Sequence, residues 1–380
     1  LSAGGSAVDA AVAMYFALAV TYPDAGSLGG EGVCIVQKSD RKGGVEAIEF
    51  RPLLIRRGGR TIAVPGGVRA MYALQARYGR LQWARLIQPA EQLARFGHPV
   101  SRAFVRPLAA APETAFVSPE MKKLFYKDGK RLTEGGTLEQ VQLASVLAAI
   151  RFRGAGDFYT GDVARRIADG LSRNVGIPVT VGDIRNYRPV WLTTEKTVVG
   201  NHTLHLPAGT KATAALELWN GLASNPSASV GAAISPADGD SIGFAAIDNK
   251  SGAAACTVGA HDALKHGRII GETGILQAGP RPAGLQYPGL VAILVNEPRS
   301  DIISALTAAG GSPGAEARAL STASRVIGGT SLTDAMAAAP ALAGARTNMI
   351  HCPTGIDADP ELCGYAVEPG SSGLAVGASF

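Results

Sequence analysis

The sequence predicts a mixed α/β protein in which helices and strands share one continuous core, and three observations lead there. Short apolar runs meet at Gly-containing turns, as where Ile242 to Ile247, the cluster Asp248-Asn249-Lys250-Ser251-Gly252 and Ala253 to Val258 together read as a β-hairpin. Elsewhere apolar residues recur at helical spacing. Hydrophobic residues make up 46% and charged residues 18% of the 380, which excludes a disordered chain and a coiled coil. That length exceeds the expectation for one small domain, yet an αβ sandwich of this size can keep a single core.

Taken in order, Ser6-Ala7-Val8-Asp9 has the form of a capping box, and the Ala-rich segment to Val20 is a helix apolar nearly all round. Such a helix must be buried, and Tyr22-Pro23 stops it. The glycine loop Ser27 to Gly32 leads into a strand, Val33 to Gln37, whose partner is Val45 to Phe50, closed by Arg51. Because the loop precedes a strand instead of opening a helix, it is expected to serve tight backbone packing and not phosphate binding. Helical spacing covers Pro65 to Tyr78, Trp83 to Phe96, Leu138 to Arg151 and Asp162 to Arg173. Strand-like runs follow at Glu195 to Val199 and Thr203 to Leu206, turning at Gly200-Asn201, and then a helix from Ala212 to Leu222. The glycosylation sequon at Asn201-His202-Thr203 is read as chance. A small-residue segment, Ala223 to Gly239, precedes Ser241. Past the hairpin, Gly310-Gly311 stand before Ser312-Pro313 and a helix to Val326; Ser331 to Ala341 is one more helix, and Thr347 to Phe380 reads as strands and loops.

Several function classes drop out. The formal charge is +5, but the basic residues are scattered, densest from Arg56-Arg57 to Arg60, without interleaved aromatics, so no nucleic-acid partner is expected. No uninterrupted apolar run of about 18 residues is present, which argues against a membrane span. His261, Asp262 and His266 cluster locally, yet no further ligand pattern completes a site, so neither a metal nor a cofactor is expected. Four cysteines are too few for a disulfide scaffold. Cys34 and Cys256 lie in strand-like runs and read as small core residues. Cys352 and Cys363 flank a Pro/Gly/Asp loop and either pair or stay thiols, which leaves the redox compartment open. The chain begins at Leu1, so any targeting signal is out of view, and bacterial periplasm and cytoplasm both remain open.

The residue with the most chemical promise is Ser241. It starts the first strand of the hairpin directly after Gly239-Asp240. A chain break between Asp240 and Ser241 would give Ser241 both a nucleophilic oxygen and a free α-amine. An α-amine titrates at about 7.7–8.0, so it can act as the hydroxyl's own general base without a histidine. A triad of Ser241, His261 and Asp262 is the less favoured geometry, because neighbouring residues of a strand point apart.

Three stretches place this reading in a family. They are Gly4-Gly5-Ser6-Ala7-Val8-Asp9-Ala10-Ala11-Val12-Ala13 with Ile48-Glu49-Phe50-Arg51; Val64-Pro65-Gly66-Gly67-Val68 with Tyr78-Gly79-Arg80-Leu81 and Gln88-Pro89-Ala90; and Phe244 to Asp248 with Gly271-Glu272-Thr273-Gly274-Ile275-Leu276. In this order they resemble the γ-glutamyltranspeptidase family of N-terminal-nucleophile hydrolases. The resemblance implies a four-layer αββα sandwich, with residues 1–240 as a large-subunit-like and 241–380 as a small-subunit-like part of one core. It also implies roles. Ser241 falls on the nucleophile, the Asp240–Ser241 bond on the cleavage site, and Arg51 on the arginine that grips the substrate carboxylate. Gly310 and Gly311 fall on the oxyanion-binding amides.

Departures from the family pattern bear on activity. The supporting second threonine falls on Gly259, the asparagine that helps bind substrate falls on His261, and the acidic ligand of the substrate amine has no counterpart in Gln277-Ala278-Gly279. Arg281-Pro282 persists, but the serines that follow become Gly284 and Leu285. Two expectations result. One is a self-processing amidohydrolase or acyltransferase for a small carboxylated amide, γ-glutamyl or otherwise, whose two processed subunits stay associated. The other is an inactive homologue used for binding or assembly.

Overall fold

The computed structural model describes residues 1–39, 44–224, 241–281, 284, 286, 288–309, 314–338, 344–357, 359–369, 371 and 373–377. Eleven strands build two central sheets: β1 (Glu31–Gln37), β2 (Val45–Glu49), β3 (Val190–Leu192), β4 (Thr194–Val199), β5 (His202–Pro207), β6 (Ser241–Ile247), β7 (Ala253–Gly259), β8 (Leu290–Asn296), β9 (Asp301–Ala309), β10 (Arg346–His351) and β11 (Gly364–Val367). The first sheet has the order β6-β7-β1-β2-β3, the second β4-β5-β8-β9-β10-β11, and all the neighbours are antiparallel. Helices α1 (Ala7–Thr21), α2 (Trp83–Phe96) and α3 (Val141–Arg153) cover the outer face of the first sheet; α4 (Thr210–Ser224) and α5 (Ala315–Ile327) cover that of the second. The result is the four-layer αββα sandwich.

Alternation along the strands assigns each side chain to a layer. Cys34, Val36, Ile48, Phe244, Ala246 and Cys256 face the helices of the first outer layer. Val33, Ile35, Ala47, Ala253 and Ala255 face the seam between the sheets, where they meet Val291, Ile293 and Ala305. A strand buried on both faces shows no polar alternation. This is why the sequence does not reveal β8 and β9, the centre of the second sheet: Leu290 to Val295 is a continuous apolar run, and β9 is buried along its whole length. The short β3 and a peripheral hairpin, Leu53–Arg57 with Arg60–Val64, are likewise not revealed.

Helix α1 is the buried inner helix of its layer. Its capping box forms, with Ser6 Oγ accepting from the Asp9 amide at 3.2 Å and Asp9 Oδ2 accepting from the Ser6 amide at 2.8 Å. Asp248 in the β6–β7 turn ties this helix to the hairpin. Its Oδ2 accepts from the Ala7 amide at 2.8 Å, while its Oδ1 accepts from the amides of Lys250 and Gly252. The expected helix from Ser331 is present as Leu332–Ala338; its end at residues 339–341 lies outside the described residues. No helix among the described residues is long and apolar enough to cross a membrane.

The reading of Cys34 and Cys256 as small core residues is corrected: they form a disulfide, and Cys352 pairs with Cys363. Cys34 stands directly opposite Cys256 in the β1–β7 register, although 222 residues separate them in sequence. Only strand pairing reveals that adjacency.

One buried histidine makes stability pH-dependent. His351 is hydrogen-bonded through Nδ1 to Ser304 Oγ at 2.8 Å; burial, with His202 nearby, lowers its pKa to about 4. The unfolded chain therefore takes up a proton that the fold refuses. Stability is complete above pH ~6.5 and falls as pH drops toward ~4, by roughly 3 kcal/mol. Urea unfolding across that window should show the fall, and His351→Asn should flatten it relative to the unmodified protein.

Candidate active site

The site is set by strand register. Ser241 stands opposite Gly259 on β7, and Gly259 opposite Glu31 on β1. Val33 is opposite Glu49 on β2, so extending that register by two residues brings Arg51 opposite Glu31. Ser241, Gly259, Glu31 and Arg51 thus occupy one rung at the same end of the first sheet, spanning three interstrand spacings, or about 14 Å. All four belong to the set that faces the seam.

The glycine loop allows this end to close. A Cβ on Gly30 would lie 2.4 Å from the Gly259 carbonyl oxygen, and one on Gly32 equally close to the Thr257 carbonyl. Close backbone approach, as expected from the sequence, is what these glycines provide. From the second sheet, Arg346 Nη1 donates to the Ser241 carbonyl at 2.6 Å, and its Nη2 donates to Tyr22 OH at 2.7 Å. Asn348 Nδ2 donates to the Gly243 carbonyl at 2.8 Å. Ser241 is fully buried beneath these contacts. Arg346 pairs with Ala309, the last residue of β9. Gly310, Gly311 and Asp240 lie outside the described residues.

His261 and Asp262 follow β7 with φ of 51° and 57°, two successive non-glycine residues in the left-handed region. This turn separates them. His261 Nε2 lies 3.3 Å from Glu31 Oε1, whereas Asp262 pairs with Lys265 Nζ at 3.0 Å. The triad of Ser241, His261 and Asp262 is therefore not formed, because the carboxylate is directed to a lysine. Among the described residues, no group of three or more His, Cys, Asp or Glu side chains is placed to hold a metal ion.

Charge at this end is organised around Glu31, which is 1% exposed. Arg281 Nε donates to both of its oxygens at 2.8 Å, and Arg281 Nη2 reaches the Gln286 carbonyl. Glu49 is bonded by Arg51 Nε; burial raises its pKa and the arginine opposes that rise. The Arg51 side chain is 44% exposed. Glu31 lies in the glycine loop, which the sequence marks only for close backbone packing, so its charge role is visible only in the structure. Arg346 carried no signal at all, since only the packing of one sheet on the other brings it to Ser241.

Removing the Glu31 carboxylate would leave the partly exposed Arg281 guanidinium without the two hydrogen bonds it makes there. Glu31→Ala should cost about 2 kcal/mol of stability in denaturant unfolding.

Comparison with known proteins adds to this geometry. The gamma-glutamyltranspeptidase family model matches residues 1–225. The glutathione hydrolase proenzyme of Escherichia coli strain K12 is 33% identical over 211 residues, covering 50% of this chain and 36% of that protein. The chain thus spans about a third of the length of the curated relatives it matches. Among solved structures, cephalosporin acylase from Bacillus halodurans has the same fold, with a TM-score of 0.74 at 17% identity over 97% of this chain and 90% of the other. The gamma-glutamyltranspeptidase from Pseudomonas nitroreducens aligns with a TM-score of 0.50 at 27% identity over 59% of this chain and 71% of the other.

Proposed function

The chain belongs to the gamma-glutamyltranspeptidase family, and from that premise we propose that it is a self-processing amidohydrolase or acyltransferase acting on a small amide that bears a carboxylate. The observation that carries the reading is the shared rung of Ser241, Gly259, Glu31 and Arg51 at one end of the seam. The Ser241 hydroxyl attacks the carbonyl carbon of Asp240, the acyl group moves from nitrogen to oxygen, and water hydrolyses the resulting ester. Residues 1–240 and 241–380 become the two subunits, held together by sheets to which both contribute strands. This attack is intramolecular, so full burial of Ser241 does not oppose it; access for an external amide follows from opening the chain beside it.

In turnover, Ser241 Oγ adds to the substrate amide carbon while its α-amine takes the hydroxyl proton. Amides of Gly310 and Gly311 receive the oxyanion. Collapse expels the leaving amine with that proton, and water or an acceptor amine then takes the acyl group from Ser241. Arg346, already on the Ser241 carbonyl, orients the nucleophile's backbone.

Arg51 supports recognition of a carboxylate, because its guanidinium is partly exposed on the nucleophile's rung. The carboxylates beside it offer less to a substrate ammonium. Glu31 is held by Arg281 and Glu49 by Arg51, so an ammonium must displace an arginine. A glutaryl-type amide fits this charge pattern better than a γ-glutamyl one. His261, which falls on the family's substrate-binding asparagine, lies 3.3 Å from Glu31 Oε1.

A second reading, a non-catalytic homologue serving in assembly, is favoured by Gly259 in place of a supporting hydroxyl and by the burial of Ser241. Intact-mass measurement separates the two. The hydrolase reading expects the purified protein to resolve into chains ending at Asp240 and beginning at Ser241, and Ser241→Ala to remain one species; a single intact chain in both favours assembly. With processed protein, glutaryl anilide should be hydrolysed in preference to γ-glutamyl anilide, and Arg51→Ala should raise KM for it by about tenfold or more while leaving processing intact.

A further inference from the structure

A second site lies at the strand ends farthest from Ser241, where a cavity reaches from the seam round to the helix-facing side of the first sheet. This cavity of about 550 Å³ is lined by Gln37, the last residue of β1, by Trp191 on the opposite edge strand β3, and by Arg77, Lys196, His205 and Glu297. Ser241 starts β6 on the other edge of the same sheet, four interstrand spacings away, or roughly 19 Å, and at the other strand end. The cavity therefore shares no lining residue with the Ser241 rung, and it falls in the volume range of small-molecule sites, about 300–1,000 Å³.

Its chemistry is two-signed. His205 is buried and fixed, with Nδ1 on the Thr194 hydroxyl at 3.0 Å and Nε2 on Glu297 Oε1 at 3.1 Å. Burial lowers its pKa and Glu297 opposes the shift. Glu297 is 46% exposed, and its only cationic neighbour among the described residues is Lys196 at 3.9 Å, beyond hydrogen-bond distance. On the helix-facing side of the first sheet, where Trp191 stands opposite Ile48, Arg77 is paired with Glu46 at 2.6 Å and lies 4.6 Å from the Trp191 ring. A lone anion entering here meets Glu297 and Glu46, and a lone cation meets Lys196 and Arg77. A molecule with both charges satisfies the two sets together. It needs only to open the loose Lys196–Glu297 contact, which as a surface pair is worth about 0–1 kcal/mol.

We propose that this cavity is a binding site for a small zwitterion of amino-acid or dipeptide size, its carboxylate on Lys196, its ammonium on Glu297, and its body against Trp191. The site is independent of the chemistry proposed for Ser241.

Glycylglycine is the probe, titrated into the full chain carrying Ser241→Ala and followed by calorimetry and by tryptophan fluorescence. Saturable binding with a Kd of roughly 10 mM or tighter is expected. Lys196→Ala and Glu297→Gln should each weaken it about tenfold, and Trp191→Phe should remove the fluorescence change. Acetylglycine and glycinamide, each with one charge, should bind about tenfold more weakly than the dipeptide. Arg51→Ala should leave the Kd unchanged. No saturable binding, equal binding of acetylglycine, or a loss caused by Arg51→Ala and not by Lys196→Ala would each overturn the proposal.

Discussion

The antiparallel register that joins β6, β7 and β1 is the constraint on which the rest of this molecule depends. A slip of one residue would turn Ser241 and Glu31 from the seam toward the helices, and would send Cys34 and Cys256 the other way. The Cys34–Cys256 disulfide closes the β1–β7 pair covalently in that register. Asp248 adds a second tie, since one carboxylate holds both the hairpin turn and the amide end of α1. The placement of the proposed nucleophile is thus a by-product of how the core is laced.

Burial then dictates the electrostatics of the rung. Inside the seam a carboxylate without a partner is costly, so Glu31 draws Arg281 and His261 to itself, and Glu49 draws Arg51. Those pairings consume the negative charge that could have greeted an amine. The same demand for satisfied charge that stabilises the fold narrows what the proposed site would recognise.

The two ends of the seam differ for a related reason. At the Ser241 end, glycines let backbones touch and the sheets close on Arg346, Asn348 and Thr307. At the opposite end and edge, β3 passes into β4 by a short link between the sheets, and mostly polar side chains line a cavity. One sandwich therefore offers a tight end and an open one.

Local patterns in the chain determined much of this. The capping box at Ser6, the apolar helix behind it, the β6–β7 hairpin, the pairing of β1 with β2 and the family itself were all legible, because each rests on residues near one another or on short motifs. Tertiary structure alone decided which residues meet across layers. Cys34 with Cys256, Arg346 with Ser241, and Glu31 with Arg281 are neighbours only after two sheets have paired and stacked. Strands β8 and β9 escaped for a different physical reason: burial on both faces erases the alternation by which a strand is read. Periodicity reports which way a side chain points; it carries no information about what waits on the other side.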